Sequence, residues 1–116
     1  MIQVYVYSSC SSCRKTVEAL EASGAAYEVR DYLKHRFTSG ELREMLTGVG
    51  LTPAMVLSTR SRIYRERELD AETLSDDELV RLMIEEPTLL RRPIVTSGDQ
   101  VVIGHNPGRL ASLITA

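Results

Sequence analysis

Both cysteines of this chain lie in a single tetrapeptide, Cys10-Ser11-Ser12-Cys13. Two thiols three residues apart can approach each other, and the deprotonated form of either is a nucleophile. The run before the pair is strand-like and the run after it helix-like, so Cys10 is expected at a helix N-terminus. There, unpaired backbone N–H groups and the positive end of the helix dipole favour a thiolate. Cys13 falls one turn into the helix, less accessible, and positioned to attack a mixed disulfide or a sulfenic acid on Cys10. Arg14 adds positive charge to the same turn. Two other readings stay open. The pair is half of a zinc site, which wants about four ligands and would need His35 and His105 to complete it, or the cysteines are inert.

Two arginines from distant segments are candidates to join the thiols. Arg60 lies in the polar stretch Ser58-Thr59-Arg60-Ser61-Arg62, and Arg92 immediately precedes Pro93 at the start of an expected strand. A guanidinium held beside a thiolate lowers its pKa and binds an oxyanion such as arsenate, phosphate or a carboxylate through forked hydrogen bonds. The plainer reading of either is an exposed charge or a salt bridge to one of the many acidic residues. Pro93 is a candidate for a cis peptide bond facing the cysteines, because cis bonds belong almost entirely to X-Pro. Met45, Met55 and Met83 are read as core residues, and Tyr7 and His105 as packing or surface residues.

The elements that must position these groups follow from periodicity. Ile2, Val4 and Val6 alternate with Gln3, Tyr5 and Tyr7, which predicts a strand over 2–7. Cys13, Val17 and Leu20 make one stripe of a helix over 11–23, with Gly24 as its stop. Ala26, Tyr27 and Val29 form a second strand ending near Asp31. Thr38-Ser39-Gly40-Glu41 and Ser75-Asp76-Asp77-Glu78 both have capping-box spacing, and each is followed by an apolar helical stripe. Pro53 opens a short helical segment between those helices, so residues 38–86 are largely helical, and Pro87 closes the block. Ile94 to Thr96, the turn Ser97-Gly98-Asp99 and Val101 to Ile103 read as a β-hairpin. Asn106-Pro107 is an N-cap followed by proline at the first helical position, opening a last helix. The order βαβ, then a helical block, then ββα is an α/β, thioredoxin-like plan: a mixed sheet with an inserted helical subdomain at about residues 38–90.

At 116 residues the chain is expected to be one domain, spanning 1–116. A net charge of -2 gives no global signature of nucleic-acid or membrane-surface binding. Lys15 and Lys34 are the only lysines, so an anion site would use arginine. The N-terminus lacks the features of a secretory signal and no apolar run approaches membrane-spanning length, so a cytoplasmic protein is expected. In a reducing compartment a Cys-x-x-Cys pair is more often catalytic, redox-sensing or metal-binding than a static staple.

Taken together, Tyr7-Ser8-Ser9-Cys10-Ser11-Ser12-Cys13-Arg14-Lys15, Ser58-Thr59-Arg60-Ser61, Leu90-Arg91-Arg92-Pro93-Ile94 and Val102-Ile103-Gly104 resemble the arsenate reductase ArsC/Spx family along nearly the whole chain. The resemblance implies a thioredoxin-like fold with an inserted helical subdomain and a cis proline at Pro93. It also implies two uses of the thiols. In arsenate reductases a cysteine matching Cys10 attacks arsenate and three arginines bind the oxyanion; Arg60 and Arg92 match two, the third falls at His105, and Arg109 is out of register. In Spx-type regulators the pair matching Cys10 and Cys13 is a redox switch, and the protein binds the C-terminal domain of the RNA polymerase α subunit; Thr52 stands where those regulators carry glycine. The expectation is a thiol-dependent reductase acting on a small oxyanion or a disulfide. Cys10 would be the nucleophile, Cys13 the resolving thiol, and Arg60 and Arg92 the anion-binding groups. No bound cofactor is expected, and an external thiol reductant (glutathione with glutaredoxin, or thioredoxin) would restore the dithiol. The alternatives are the polymerase-binding regulator and an interaction module without either activity.

Overall fold

In the computed structural model, which describes residues 2–7 and 10–115, the alternation of the first segment becomes strand β1, Ile2–Val6, with Ile2, Val4 and Val6 buried. Tyr7 is not part of the strand, because its carbonyl turns to accept the Cys10 N–H at 3.2 Å. Ser8 and Ser9 of the expected motif lie outside the described residues. Helix α1, Ser11–Ser23, ends at Gly24, whose φ of 75° lets its N–H reach back to the Glu21 carbonyl; a side chain with a Cβ adopts that conformation only at a cost. Strand β2, Tyr27–Asp31, pairs parallel with β1, matching Val4 to Val29.

The chain divides into two compact units, one of residues 1–35 with 92–116 and one of residues 36–91. The first continues with the hairpin β3, Ile94–Ser97, and β4, Gln100–Ile103. Its turn uses Gly98 at a φ of 60°, a left-handed conformation that favours glycine. β3 runs antiparallel to β1, with Val95 opposite Val4, and β4 antiparallel to β3, giving the sheet order β2-β1-β3-β4. As an inner strand β3 buries Ile94, Val95 and Thr96 in succession, which explains its unbroken apolar start. Helix α5, Pro107–Thr115, is capped as expected: the Asn106 side chain accepts the Arg109 N–H at 3.1 Å. Ile2, Val4, Val6, Cys13, Leu20, Val95, Val102, Leu110 and Leu113 form one apolar core, so the same packing that seats α1 and α5 holds the second cysteine.

The second unit is helical: α2, Ser39–Gly48; a 3-10 turn, Pro53–Val56; α3, Arg62–Glu66; α4, Asp76–Glu85; and a 3-10 turn, Pro87–Leu89. Both capping boxes form. Thr38 accepts the Glu41 N–H at 3.2 Å and the Glu41 carboxylate accepts the Thr38 N–H at 3.0 Å; Ser75 and Glu78 repeat the exchange. Leu57 and Leu90 form an isolated antiparallel bridge, flanked by the Ser58 N–H to the Leu89 carbonyl and the Arg91 N–H to the Val56 carbonyl. Leu42, Leu46, Val56, Leu79, Val80, Met83 and Leu89 are buried. The polar stretch 58–62 gives way to α3 at Arg62, whose Nε donates to Glu66 at 2.6 Å one turn on. The reading of the methionines needs correction. Met55 is 51% exposed rather than core, because the 3-10 turn buries Val56 and directs its neighbour outward, and Met45 is only half-buried.

Candidate thiol site

Cys10 is the N-cap of α1, in extended conformation with φ -95° and ψ 121°, and its sulfur accepts the backbone N–H of Cys13 at 3.4 Å. The geometry follows from the sequence order: β1 ends, the chain turns at Tyr7, and the first free N–H groups of a 13-residue helix face the cap side chain. Both cysteines are free thiols, Cys10 half-buried and Cys13 buried.

The two sulfurs are driven apart electrostatically. Burial by itself raises the Cys10 thiol. Hydrogen bonds from the Cys13 thiol and the Cys13 N–H, followed by the hydrogen bond and charge of Arg92, more than offset it and hold Cys10 below its ordinary value of 9.0. Cys13 is pushed up to about 12, first by burial and then by donating its hydrogen bond to Cys10. The thiolate is thus favoured at Cys10 and disfavoured at Cys13.

Arg92 reaches this site from the start of the hairpin. Its guanidinium carbon lies 4.3 Å from the centre of the Tyr7 ring, a cation–π contact. Its Nε is buried and, among the described residues, has no hydrogen-bond partner. The Arg92–Pro93 peptide bond is cis, as expected, and the Pro93 carbonyl accepts the Gly104 N–H at 2.8 Å. Tyr7 is buried and meets Tyr32 edge-on, ring centres 5.5 Å apart and planes at 82°. Burial, opposed by Arg92, raises the Tyr7 hydroxyl, and burial raises that of Tyr32 further, so both stay neutral at physiological pH.

Of the residues singled out in the sequence, Cys10, Cys13 and Arg92 come together, and Pro93 is joined to Arg92 by the cis bond. Arg14 is exposed; its backbone N–H bonds the Cys10 carbonyl at 3.2 Å, and the cation acting on the Cys10 sulfur is Arg92. Arg60 belongs to the 36–91 unit, exposed in the turn before α3. His105 is half-buried and its Nδ1 lies 3.0 Å from the Thr16 hydroxyl, while His35 is exposed with its N–H bonded to the Asp31 carbonyl. Among the described residues no group of three or more His, Cys, Asp or Glu side chains is gathered to hold a metal ion. Tyr7 and Tyr32 are part of the site and were not expected there; the one sequence signal was an aromatic residue closing the alternation of β1.

The family model for the ArsC family matches residues 5–113. The chain is 38% identical over 109 residues to the regulatory protein MgsR of Bacillus subtilis, covering 94% of this chain and 86% of that one. It is 32% identical over 114 residues to the global transcriptional regulator Spx 1 of Lactococcus lactis, covering 98% and 89%. Among solved structures it superposes on an arsenate reductase from Vibrio cholerae with a TM-score of 0.85 at 31% identity, covering 97% and 96%. With a cysteine pair at the start of α1, a cis proline opening the hairpin, and a family match running from β1 into α5, this chain belongs to the ArsC family.

Proposed function

We propose that the protein is a thiol redox protein that cycles between a Cys10–Cys13 dithiol and the corresponding disulfide. The observation that carries this is the split between the two sulfurs: Cys10 is held below its ordinary pKa at the cap of α1, while Cys13, hydrogen-bonded to it, is held far above. In the leading use the Cys10 thiolate attacks a small oxyanion or a disulfide. Cys13 then displaces the reduced product from Cys10, so the two thiols lose two electrons and the substrate gains them. An external dithiol or glutathione-dependent protein reduces the resulting disulfide. Arg92 stabilises the thiolate by a hydrogen bond and by its charge. Arg60 is assigned to the same anion from its sequence match.

A second reading is a redox-switched regulator that binds the C-terminal domain of the RNA polymerase α subunit. Two observations favour it: the similarity to proteins named as transcriptional or regulatory proteins, and the engagement of His105, at the third arginine position, with Thr16. The test is reductant consumption dependent on arsenate or on a disulfide, in the wild type and in Cys10→Ser. A wild-type rate no higher than that of the variant rules out the reductase. Capture of the polymerase α domain that changes between the dithiol and disulfide forms supports the regulator, and no capture in either form removes it.

A further inference from the structure

Arg92 is the cation acting on the Cys10 sulfur, by a hydrogen bond and by its charge, but that contact does not satisfy every guanidinium nitrogen. Its Nε is buried without a hydrogen-bond acceptor among the described residues. What lies against it is an aromatic face: the guanidinium carbon sits 4.3 Å above the Tyr7 ring. That ring is itself fixed. Tyr7 is 5% exposed, and Tyr32, 1% exposed, meets it edge-on at 82°. Tyr32 in turn is pinned to the sheet by its N–H, which donates to the Val6 carbonyl at 3.0 Å. The order of support therefore runs from the sheet to Tyr32, to Tyr7, to Arg92, to the Cys10 sulfur. Arginine carries large rotamer freedom, and a side chain with an unsatisfied donor has every reason to swing toward water. A flat, buried ring beneath a planar cation removes that freedom and adds electrostatic attraction from the ring quadrupole.

We propose that Tyr7 is the positioning residue of the thiol site: its ring, held edge-on by Tyr32, seats the Arg92 guanidinium beside Cys10. This rests on the Cys10–Cys13 reading of the site, and it adds a residue that acts on the sulfur through Arg92. The main chain of Tyr7 also serves the site, since its carbonyl accepts the Cys10 N–H at 3.2 Å and its backbone hydrogen-bonds the Cys13 sulfur. Those backbone contacts survive a change of side chain, so a substitution at Tyr7 isolates the Arg92 contact.

The experiment is the pH profile of Cys10 alkylation by iodoacetamide in the full chain, which needs no substrate and so separates this proposal from the reductase reading. Tyr7→Phe keeps the ring and is expected to match the wild type. Tyr7→Leu is expected to move the Cys10 midpoint upward by about half to one pH unit, from the strength of a partly buried cation–π contact. If Tyr7→Leu fails to fold, a ring-fluorinated phenylalanine at position 7 keeps the shape while weakening the quadrupole, and is expected to give the same upward shift. In an Arg92→Gln background none of the changes at position 7 should move the midpoint further. A midpoint unchanged by both the leucine and the fluorinated ring overturns the proposal, as does a shift that persists in full without Arg92.

Discussion

The Nδ1 of His105 stands 3.0 Å from the hydroxyl of Thr16, tying the turn after β4 to the buried face of α1 one helical turn beyond Cys13. Thr16 is 1% exposed and His105 half-buried, so the two sides of the bond differ in what happens when it is broken. His105→Ala strands a buried hydroxyl and is expected to lower stability by about 1–3 kcal/mol. Thr16→Val keeps the shape and leaves only an imidazole that water can reach, and is expected to cost about 1 kcal/mol or less. Urea unfolding of the two single variants and the double variant checks this. Equal losses would mean that the Thr16 hydroxyl finds another partner.

The cysteines should be chemically unlike. Iodoacetamide at neutral pH is expected to modify Cys10 and spare Cys13, whose thiol is pushed up to about 12. Because the thiolate is the reactive form, the Cys10 rate should be flat above its midpoint and fall about tenfold for each pH unit below it. Cys13→Ala removes the thiol hydrogen bond that does most to lower Cys10 and leaves the backbone one, and Arg92→Gln removes a further contribution, so each should move the midpoint up toward 9.0. Mass spectrometry of the labelled peptides that found both cysteines equally modified would contradict the assignment of roles.

The same shifts set opposite pH dependences of stability. Cys10 has its folded value lowered, so its contribution is present above the unfolded value and lost as pH falls through the folded one. Cys13 has its folded value raised, so its contribution is present below the unfolded value and lost as pH rises toward about 12. Above pH 9.0, where the Cys10 contribution is complete, unfolding midpoints of Cys13→Ala and the wild type under reducing conditions should therefore converge as the pH climbs. A gap that widened with pH would reverse the sign.

In the 36–91 unit the two capping boxes are expected to contribute separately. Thr38→Ala and Ser75→Ala each remove the acceptor of a helix N–H, at a cost of about 1 kcal/mol. Leu20→Ala, in the core of the other unit, empties a site that is 0% exposed and should cost about 2–5 kcal/mol. Chemical denaturation of the three variants checks both magnitudes. A loss at Leu20 no larger than at the caps would mean that α1 repacks over the sheet.

Local signals carried most of the fold into the sequence. The bounds of α1, both capping boxes, the Asn106 cap and the hairpin are each set by residues within a few positions of one another, and such patterns are readable without tertiary context. Cys10 at the helix start was legible for the same reason. α3 was not, because its five residues have no apolar stripe and none of them is buried. Met55 was misread because hydrophobic type alone does not tell which side of a 3-10 turn faces in. The Tyr32, Tyr7 and Arg92 stack was illegible on a different ground: its members come from three separate segments, and only the strand pairings bring them into contact.

Those pairings also bear on how the molecule comes into being. Residues 1–35 and 92–116 form one unit, interrupted in sequence by the whole of 36–91, and Val4 must find Val95 across that gap before β1 has its antiparallel neighbour. Closing so long a loop costs chain entropy ahead of any contact it gains, which places the sheet late in folding, whereas the helical unit is continuous and built from local contacts. Arg92 arrives with the late segment. The part of the lowering at Cys10 that comes from Arg92 therefore needs the docked hairpin, whereas the larger part that comes from Cys13 needs only the first turn of α1.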